Sequence, residues 1–208
     1  YNANFKRFKK YIKEGKEGFT RAAYSAYRER SLGLGAMGFH AYLQQNNIPF
    51  EGIFASGFNH KVFQHIKVRA TEASSRLAEE RGEAPDISGS GLRNAHLLAV
   101  APNASSSIIC GGTSPSIEPY RANVYTHKTL SGSYQVKNKY LEKLLKSKGI
   151  KGKELESLWK DIAGHDGSVQ HLDILTDDEK EIFKTANEIN QIWVVEHASK
   201  RQEFICQS

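Results

Sequence analysis

Leu97 to Ala101 (LLAVA), five apolar residues in a row that stop at Pro102, limits the architectures open to this sequence. A continuous run of that length, with no polar alternation, is the pattern of a strand covered on both faces. Such a strand needs helices packed against each side, which points to α/β layers rather than a bundle or a sandwich. Pro102 has no N–H to continue a ladder. Behind it come three hydroxyls, Ser105, Ser106 and Ser107, and then an apolar segment, Ile108 to Cys110, that can begin a helix.

Helical spacing dominates the rest of the chain. Phe5, Phe8, Tyr11 and Ile12 predict a basic amphipathic helix over 3–14, ended near Gly15 and Gly18. A second helix is expected over 19–30, with Phe19, Ala22, Ala23 and Ala26 on one side. SLGLGAMGF (31–39) alternates glycine with Leu32, Leu34 and Met37, as in a short, closely approached strand or turn. A helix over 39–46 stops before Pro49. The clearest helix runs from Gly57 to about Arg81, on a stripe of Phe58, Val62, Ile66, Ala70, Ala73 and Leu77, with Gly82 as its stop. Residues 83–93 read as a loop. Residues 123–136 suggest a hairpin around Ser131 and Gly132, followed by helices over 137–148 and 153–163. Thr176 and Glu179 form a capping box for one long final helix, with Ile182, Phe183, Ala186, Ile189, Trp193, Val194 and His197 along one face. Trp159 and Trp193 are expected in the core. No repeat or low-complexity linker divides residues 1–208, so no internal domain boundary is proposed.

Composition excludes several classes. No apolar stretch approaches the length of a membrane span, and the charged start (Lys6, Arg7, Lys9, Lys10) is unlike a secretory leader. The cytoplasm is the expected compartment. Cys110 and Cys206 cannot build a disulfide framework or a CxxC metal site, and their apolar neighbours predict small buried side chains. The net charge of +6 lies largely in the first thirty residues. A basic nucleic-acid-binding module is one reading of that run, but a solvated helix face explains it more simply. The start at Tyr1 and the stop at Ser208, just behind Phe204, Ile205 and Cys206, lead us to expect a part of something longer.

The serine segment admits two readings from its residues alone. Hydroxyls before a helix commonly cap it and form a turn. The same hydroxyls, with the first-turn N–H groups, can cradle a phosphate. Neither a GxxxxGK[ST] loop nor a dinucleotide fingerprint is present; GLGAMG at 33–38 follows a predicted helix and lacks a βαβ frame.

Four segments in register resemble the class I ribonucleotide reductase large subunit: RERSLGLGAMGFHAYLQ (28–44), AVAPNASSSIICGGTSPSIEP (99–119), NVYTHKTLSGSY (123–134) and GSVQHLDIL (167–175). The resemblance implies part of a ten-stranded α/β barrel, here a helix-rich portion from its C-terminal side, that reduces ribonucleoside diphosphates to deoxyribonucleotides by radical chemistry. It also implies that the loop Pro102, Asn103, Ala104, Ser105 and Ser106 binds the substrate diphosphate, with Ser107 less firmly placed. The reactive cysteines of the family match neither Cys110 nor Cys206, so no catalytic residue is expected in this stretch and no cofactor is expected to bind it directly. The partners implied are the remaining portion of the large subunit, a small radical-generating subunit with its cofactor, thioredoxin or glutaredoxin as external dithiol reductant, and allosteric nucleotides. A catalytically inactive assembly domain derived from the barrel is the alternative.

Other residues are weighed beside these. Glu118 could wall the substrate pocket or brace its loop. Arg93 and Asn94 could meet phosphate or cap a turn. The histidines lack HxxxH-type spacing with a third ligand, so no metal centre is expected.

Overall fold

The computed structural model describes Lys6, Lys10, residues 20–130 and residues 132–206. The helix predicted over 3–14 lies outside the described residues apart from Lys6 and Lys10, as do Phe19 and Ser131. The described chain gathers into two units. One comprises the chain up to Gly35, Lys61–Ala101 and the stretch from Arg201; the other comprises Ala36–His60 and Pro102–Lys200.

The first unit contains α1 (Thr20–Glu29), in which only Ala23 is buried. Helix α2 (Phe39–Gln45) and the start of α3 (Ile53–Arg81) belong to the second unit, while α3 from Lys61 onward belongs to the first. In the first unit, Arg30 and Arg93 both donate to carbonyls at the end of α3. The Arg30 Nη1 reaches Glu83 O at 2.5 Å, and the Arg93 Nη1 reaches Arg81 O at 2.5 Å and Gly82 O at 2.8 Å. Two cations thus satisfy the orphan carbonyls and the negative end of a long helix. Arg93 caps.

Two predictions about α3 need correction. It begins at Ile53 rather than Gly57, and its predicted stripe (Phe58, Val62, Ile66, Ala70, Ala73, Leu77) is only half-buried. The buried line runs instead through Ala55, Asn59, Phe63, Ser74 and Ala78. Small polar residues hold that line because they are bonded. Asn59 Nδ2 donates to His197 O at 2.8 Å, and Ser74 Oγ donates to Asn94 Oδ1 at 3.0 Å. An apolarity pattern does not register buried polar groups that find partners.

Leu97 to Ala101 is likewise not a regular strand. It makes one parallel bridge, Leu34 with Leu98, framed by Leu34 N–H to Leu97 O at 2.9 Å and Ala99 N–H to Leu34 O at 3.1 Å. Leu97 and Leu98 are buried, as a strand covered on both sides requires, but Ala101 is exposed. A parallel pair is stable only inside a larger, covered sheet, and on the other side Leu98 O accepts from Cys206 N–H at 3.1 Å. The predicted close approach at the glycines is present: a Cβ on Gly35 would lie 2.8 Å from the Ala99 carbonyl oxygen.

The second unit has two apolar centres. Around Trp159, which is fully buried, pack Val124, Leu141, Leu145, Ile162, Val169, Leu172 and Phe183. They come from an antiparallel hairpin, β1 (Val124–Thr129) and β2 (Gly132–Lys137), and from helices packed after it. A second cluster joins Phe39, Leu43, Phe50, Ala55 and Ile189. The serine segment forms α4 (Ala104–Ile109), and α5 (Lys139–Ser147) and α6 (Gly152–Gly164) fall close to their predicted positions. Asn138 ties the parts together. Its Oδ1 accepts from Tyr140 N–H at 3.0 Å, capping α5, and its Nδ2 donates to Gln44 Oε1 at 2.8 Å and Asn123 Oδ1 at 2.9 Å.

The Thr176–Glu179 capping box is present, but the helix it starts is α7 (Asp177–Ile182), and α8 (Ile192–Gln202) is separate. The predicted single helix is broken by side chains that compete for the backbone. Glu188 Oε2 accepts from Thr185 N–H at 2.7 Å, and Asn190 Oδ1 accepts from Ile192 N–H at 3.0 Å.

Candidate functional site

Helix α4 has only six residues, and its first turn is unusual. Asn103 occupies the cap position with φ 53°, in the left-handed region, and its side chain makes no cap bond. Its amide instead points toward Ala36 O at 3.4 Å. The first intrahelical bond runs from Ser107 N–H to Asn103 O at 2.9 Å, so the N–H groups of Ala104, Ser105 and Ser106 have no acceptor within the helix. Ala104, Ser105 and Ser106 are exposed, as is Pro102. Ser107 is buried, and its hydroxyl donates to Ala104 O at 2.7 Å. The three consecutive serines therefore divide: two offer hydroxyls to solvent, and the third braces the turn.

The loop is held from behind. The chain leaves α4 through Gly111 and Gly112, both with positive φ, and returns with Gly38 N–H donating to Ser114 O at 2.9 Å. Ser114 Oγ accepts from Ala41 N–H at 3.0 Å. A Cβ on Gly38 would lie 2.6 Å from Thr113 Oγ1, so glycine is required for this approach.

A cavity of about 700 Å3 adjoins α4, lined by Ala104 and Ser107 with Tyr120, Arg121, His127 and Asp166 among others. Burial, then the neighbouring Tyr140 and Tyr125, push the Tyr120 phenol well above its usual range, so it remains a neutral hydroxyl. Of the predicted loop only Ala104 and Ser107 line this cavity. Pro102, Asn103, Ser105 and Ser106 lie outside its wall. Glu118 is exposed, outside the wall as well, with its N–H donating to Pro115 O at 3.0 Å. Arg93, at the end of α3, belongs to the other unit. Tyr120, Arg121, His127 and Asp166 were not foreseen as a group, because hairpin and turn residues leave no periodic signal.

The cysteines differ from their predicted burial. Cys110 is exposed just past α4, and Cys206 is half-buried. Burial raises the Cys206 thiol, but backbone groups of Leu98 and Leu97 and the Lys67 ammonium, 3.3 Å away, hold it below its ordinary value. The histidines are also less scattered than their spacing suggests. Asp161, His165 and His171 come together on α6 and the turn beyond it.

The family model for the ribonucleotide reductase barrel domain matches residues 5–90 and 84–208. The chain is 48% identical over 188 residues to the ribonucleoside-diphosphate reductase large subunit of Invertebrate iridescent virus 3, covering 90% of this chain and 30% of that protein. It is 31% identical over 219 residues to the Caenorhabditis elegans large subunit, covering 90% and 27% respectively. The Actinobacillus ureae class Id ribonucleotide reductase alpha subunit has a similar structure, with TM-score 0.83 and 42% identity over 95% of this chain and 36% of that one. The chain thus spans about a third of the length of the relatives it matches.

Proposed function

The chain belongs to the ribonucleotide reductase barrel-domain family, and on that premise we propose that it forms part of a large subunit that reduces ribonucleoside diphosphates to deoxyribonucleotides. Its contribution is the substrate-phosphate loop. Pro102 turns the chain, the N–H groups of Asn103, Ala104, Ser105 and Ser106 face the diphosphate, and the Ser105 and Ser106 hydroxyls add donors. Ser107 acts as a brace, as its bond to Ala104 O indicates. The observation that carries this reading is the uncapped first turn of α4: Asn103 turns its side chain away and leaves aligned donors open. Fixed donors hold an anion without reorganising and keep the sugar within reach of a radical.

Radical and redox chemistry come from outside this stretch. Cys110 and Cys206 are both free, the family resemblance gives neither a redox role, and the reactive thiols are supplied by the remaining portion of the large subunit. A small subunit supplies the radical, thioredoxin or glutaredoxin supplies electrons, and allosteric nucleotides act through the upstream portion. Residues 1–208 act as one portion of the barrel, working in the cytoplasm with neither a membrane nor nucleic acid as partner. Among the described residues no helix is long and apolar enough to cross a membrane.

Mixing the chain with the remaining portion of a related large subunit, a small subunit, dithiol and cytidine diphosphate tests this. Deoxycytidine diphosphate should form only when all parts are present. A chain that binds the remaining portion yet yields no product would leave the assembly-domain alternative standing instead.

A further inference from the structure

Asp161, His165 and His171 form a cluster outside the substrate loop. Asp161 and His165 stand one turn apart at the end of α6, and His171 is brought to them by the turn that follows. His171 Nε2 lies 2.9 Å from Asp161 Oδ2, and His165 Nδ1 lies 3.4 Å from Asp161 Oδ1. The two imidazoles are stacked, with centroids 3.7 Å apart and planes 20° from parallel. One ligand atom from each of the three residues falls within 4.8 Å of the others. As stacked, the two rings direct their in-plane lone pairs along near-parallel planes, so holding one ion requires the exposed His171 ring to turn, after which two nitrogens and a carboxylate oxygen form the donor set.

The scaffold beneath the exposed cluster is closely packed. The α6 face buries Trp159 and Ile162, and on the far side Val169 and Leu172 are buried, one before and one after His171. Gly167, with φ 81°, packs so tightly that a Cβ there would lie 2.5 Å from the Ala122 Cβ. The His165 ring is steadied by its Nδ1, 2.9 Å from Asp161 O. A metal-ligating histidine characteristically uses its second nitrogen this way. On one side the cluster opens into a cavity of about 540 Å3, lined by Asp161 and His171 and also by Glu154 and Asp173, which leaves room for water ligands.

We propose that Asp161, His165 and His171 bind a divalent transition ion, zinc by preference, through one carboxylate oxygen and one nitrogen from each ring. Two imidazoles and a carboxylate suit zinc better than magnesium or calcium, which favour all-oxygen sites. Bound there, the ion clasps the end of α6 to the turn that precedes α7. It closes a loop between two buried anchors and takes no part in the reduction.

Calorimetric titration of zinc chloride into the intact chain tests this, alongside His165→Ala/His171→Ala, Asp161→Asn and Cys110→Ser. The wild type and Cys110→Ser should each bind one equivalent and melt at higher temperature with zinc. The double histidine variant should lose that equivalent and its thermal shift, and Asp161→Asn should weaken binding at least tenfold. Circular dichroism matching the wild type shows that a silent variant is folded. An equivalent retained in the folded double variant, or no stoichiometric binding by the wild type, overturns the proposal. Magnesium chloride in place of zinc should give no equivalent; equal magnesium binding would contradict the choice of ion.

Discussion

The second unit completes its own core around Trp159, whereas the first unit holds its central apolar run by isolated backbone bonds, to Leu34 on one side and Cys206 on the other, without a regular strand. The Trp159 cluster draws on residues between Val124 and Phe183, a stretch that folds back through a hairpin and short turns. Local closure of that kind costs little chain entropy. Leu98 is as well buried as Trp159, yet it lies in no regular strand: it bridges to Leu34, and its carbonyl accepts from Cys206 N–H at 3.1 Å. Burial and strand pairing are therefore separable: a segment can be packed before its sheet exists.

Truncating Trp159 should give the largest effect. Trp159→Ala should cost about 3–5 kcal/mol, as large-to-small core changes do, read as a drop in urea midpoint. A loss under 1 kcal/mol would show that the second unit lacks a closed core.

Acid should act next most strongly, through His40. This ring is fully buried, and burial lowers its pKa from 6.5 to about 3. Its Nδ1 accepts from Tyr120 N–H at 2.8 Å, which requires the unprotonated nitrogen. The unfolded chain takes up a proton near pH 6.5 while the folded chain does not. Stability is thus full above that pH and falls as the pH drops toward 3, by up to about 1.4 kcal/mol per unit. His40→Gln should flatten that slope between pH 6 and 4; an unchanged slope would remove His40 as its source.

The bridge in the first unit should respond to Gly35→Ala. The new methyl would meet the Ala99 carbonyl, and overpacking of this kind costs about 1–3 kcal/mol. Hydrogen exchange sharpens the contrast. The amides of Leu34 and Ala99 should exchange faster than those of β1 and β2, and equal protection would show that the two units are equally well closed.

The smallest effect belongs to the α7 capping box. Burial tends to raise the Glu179 carboxyl, but Lys148 and the Thr176 backbone hold it below the usual range. Its stabilisation is present above the ordinary carboxylate pKa and fades as the pH falls through the lowered one. Glu179→Gln should cost about 0.5 kcal/mol at pH 7, and the gap from wild type should close in acid.

Much of this was legible in the residues. Thr176 with Glu179 marked a true helix start, and the glycines of 31–39 marked a close backbone approach, because each signal is local. The break after Ile182 was hidden, since Glu188 and Asn190 look helix-tolerant until their side chains accept from the backbone N–H groups of Thr185 and Ile192. The buried line of α3 was hidden for a related reason: Asn59 and Ser74 are polar yet buried, each with a side chain that donates to a partner. In the proposed site, the resemblance singles out Pro102 to Ser106, but the inward turn of Ser107 could not be read from it. Three adjacent serines are equivalent until one turns inward. Tyr120, Arg121 and the Asp161 cluster depend on turns that bring distant residues together, and spacing along the chain carries no record of that.

We propose that Ser105 and Ser106 face a diphosphate and that Ser107 does not. Steady-state reduction of cytidine diphosphate by a complete large subunit carrying Ser105→Ala/Ser106→Ala reads this directly. Each lost hydrogen bond to a charged group is worth about 1.5–3 kcal/mol, so kcat/KM should fall at least a hundredfold, chiefly through KM. Wild-type kinetics in that variant would contradict the assignment and take the serine loop out of the substrate site.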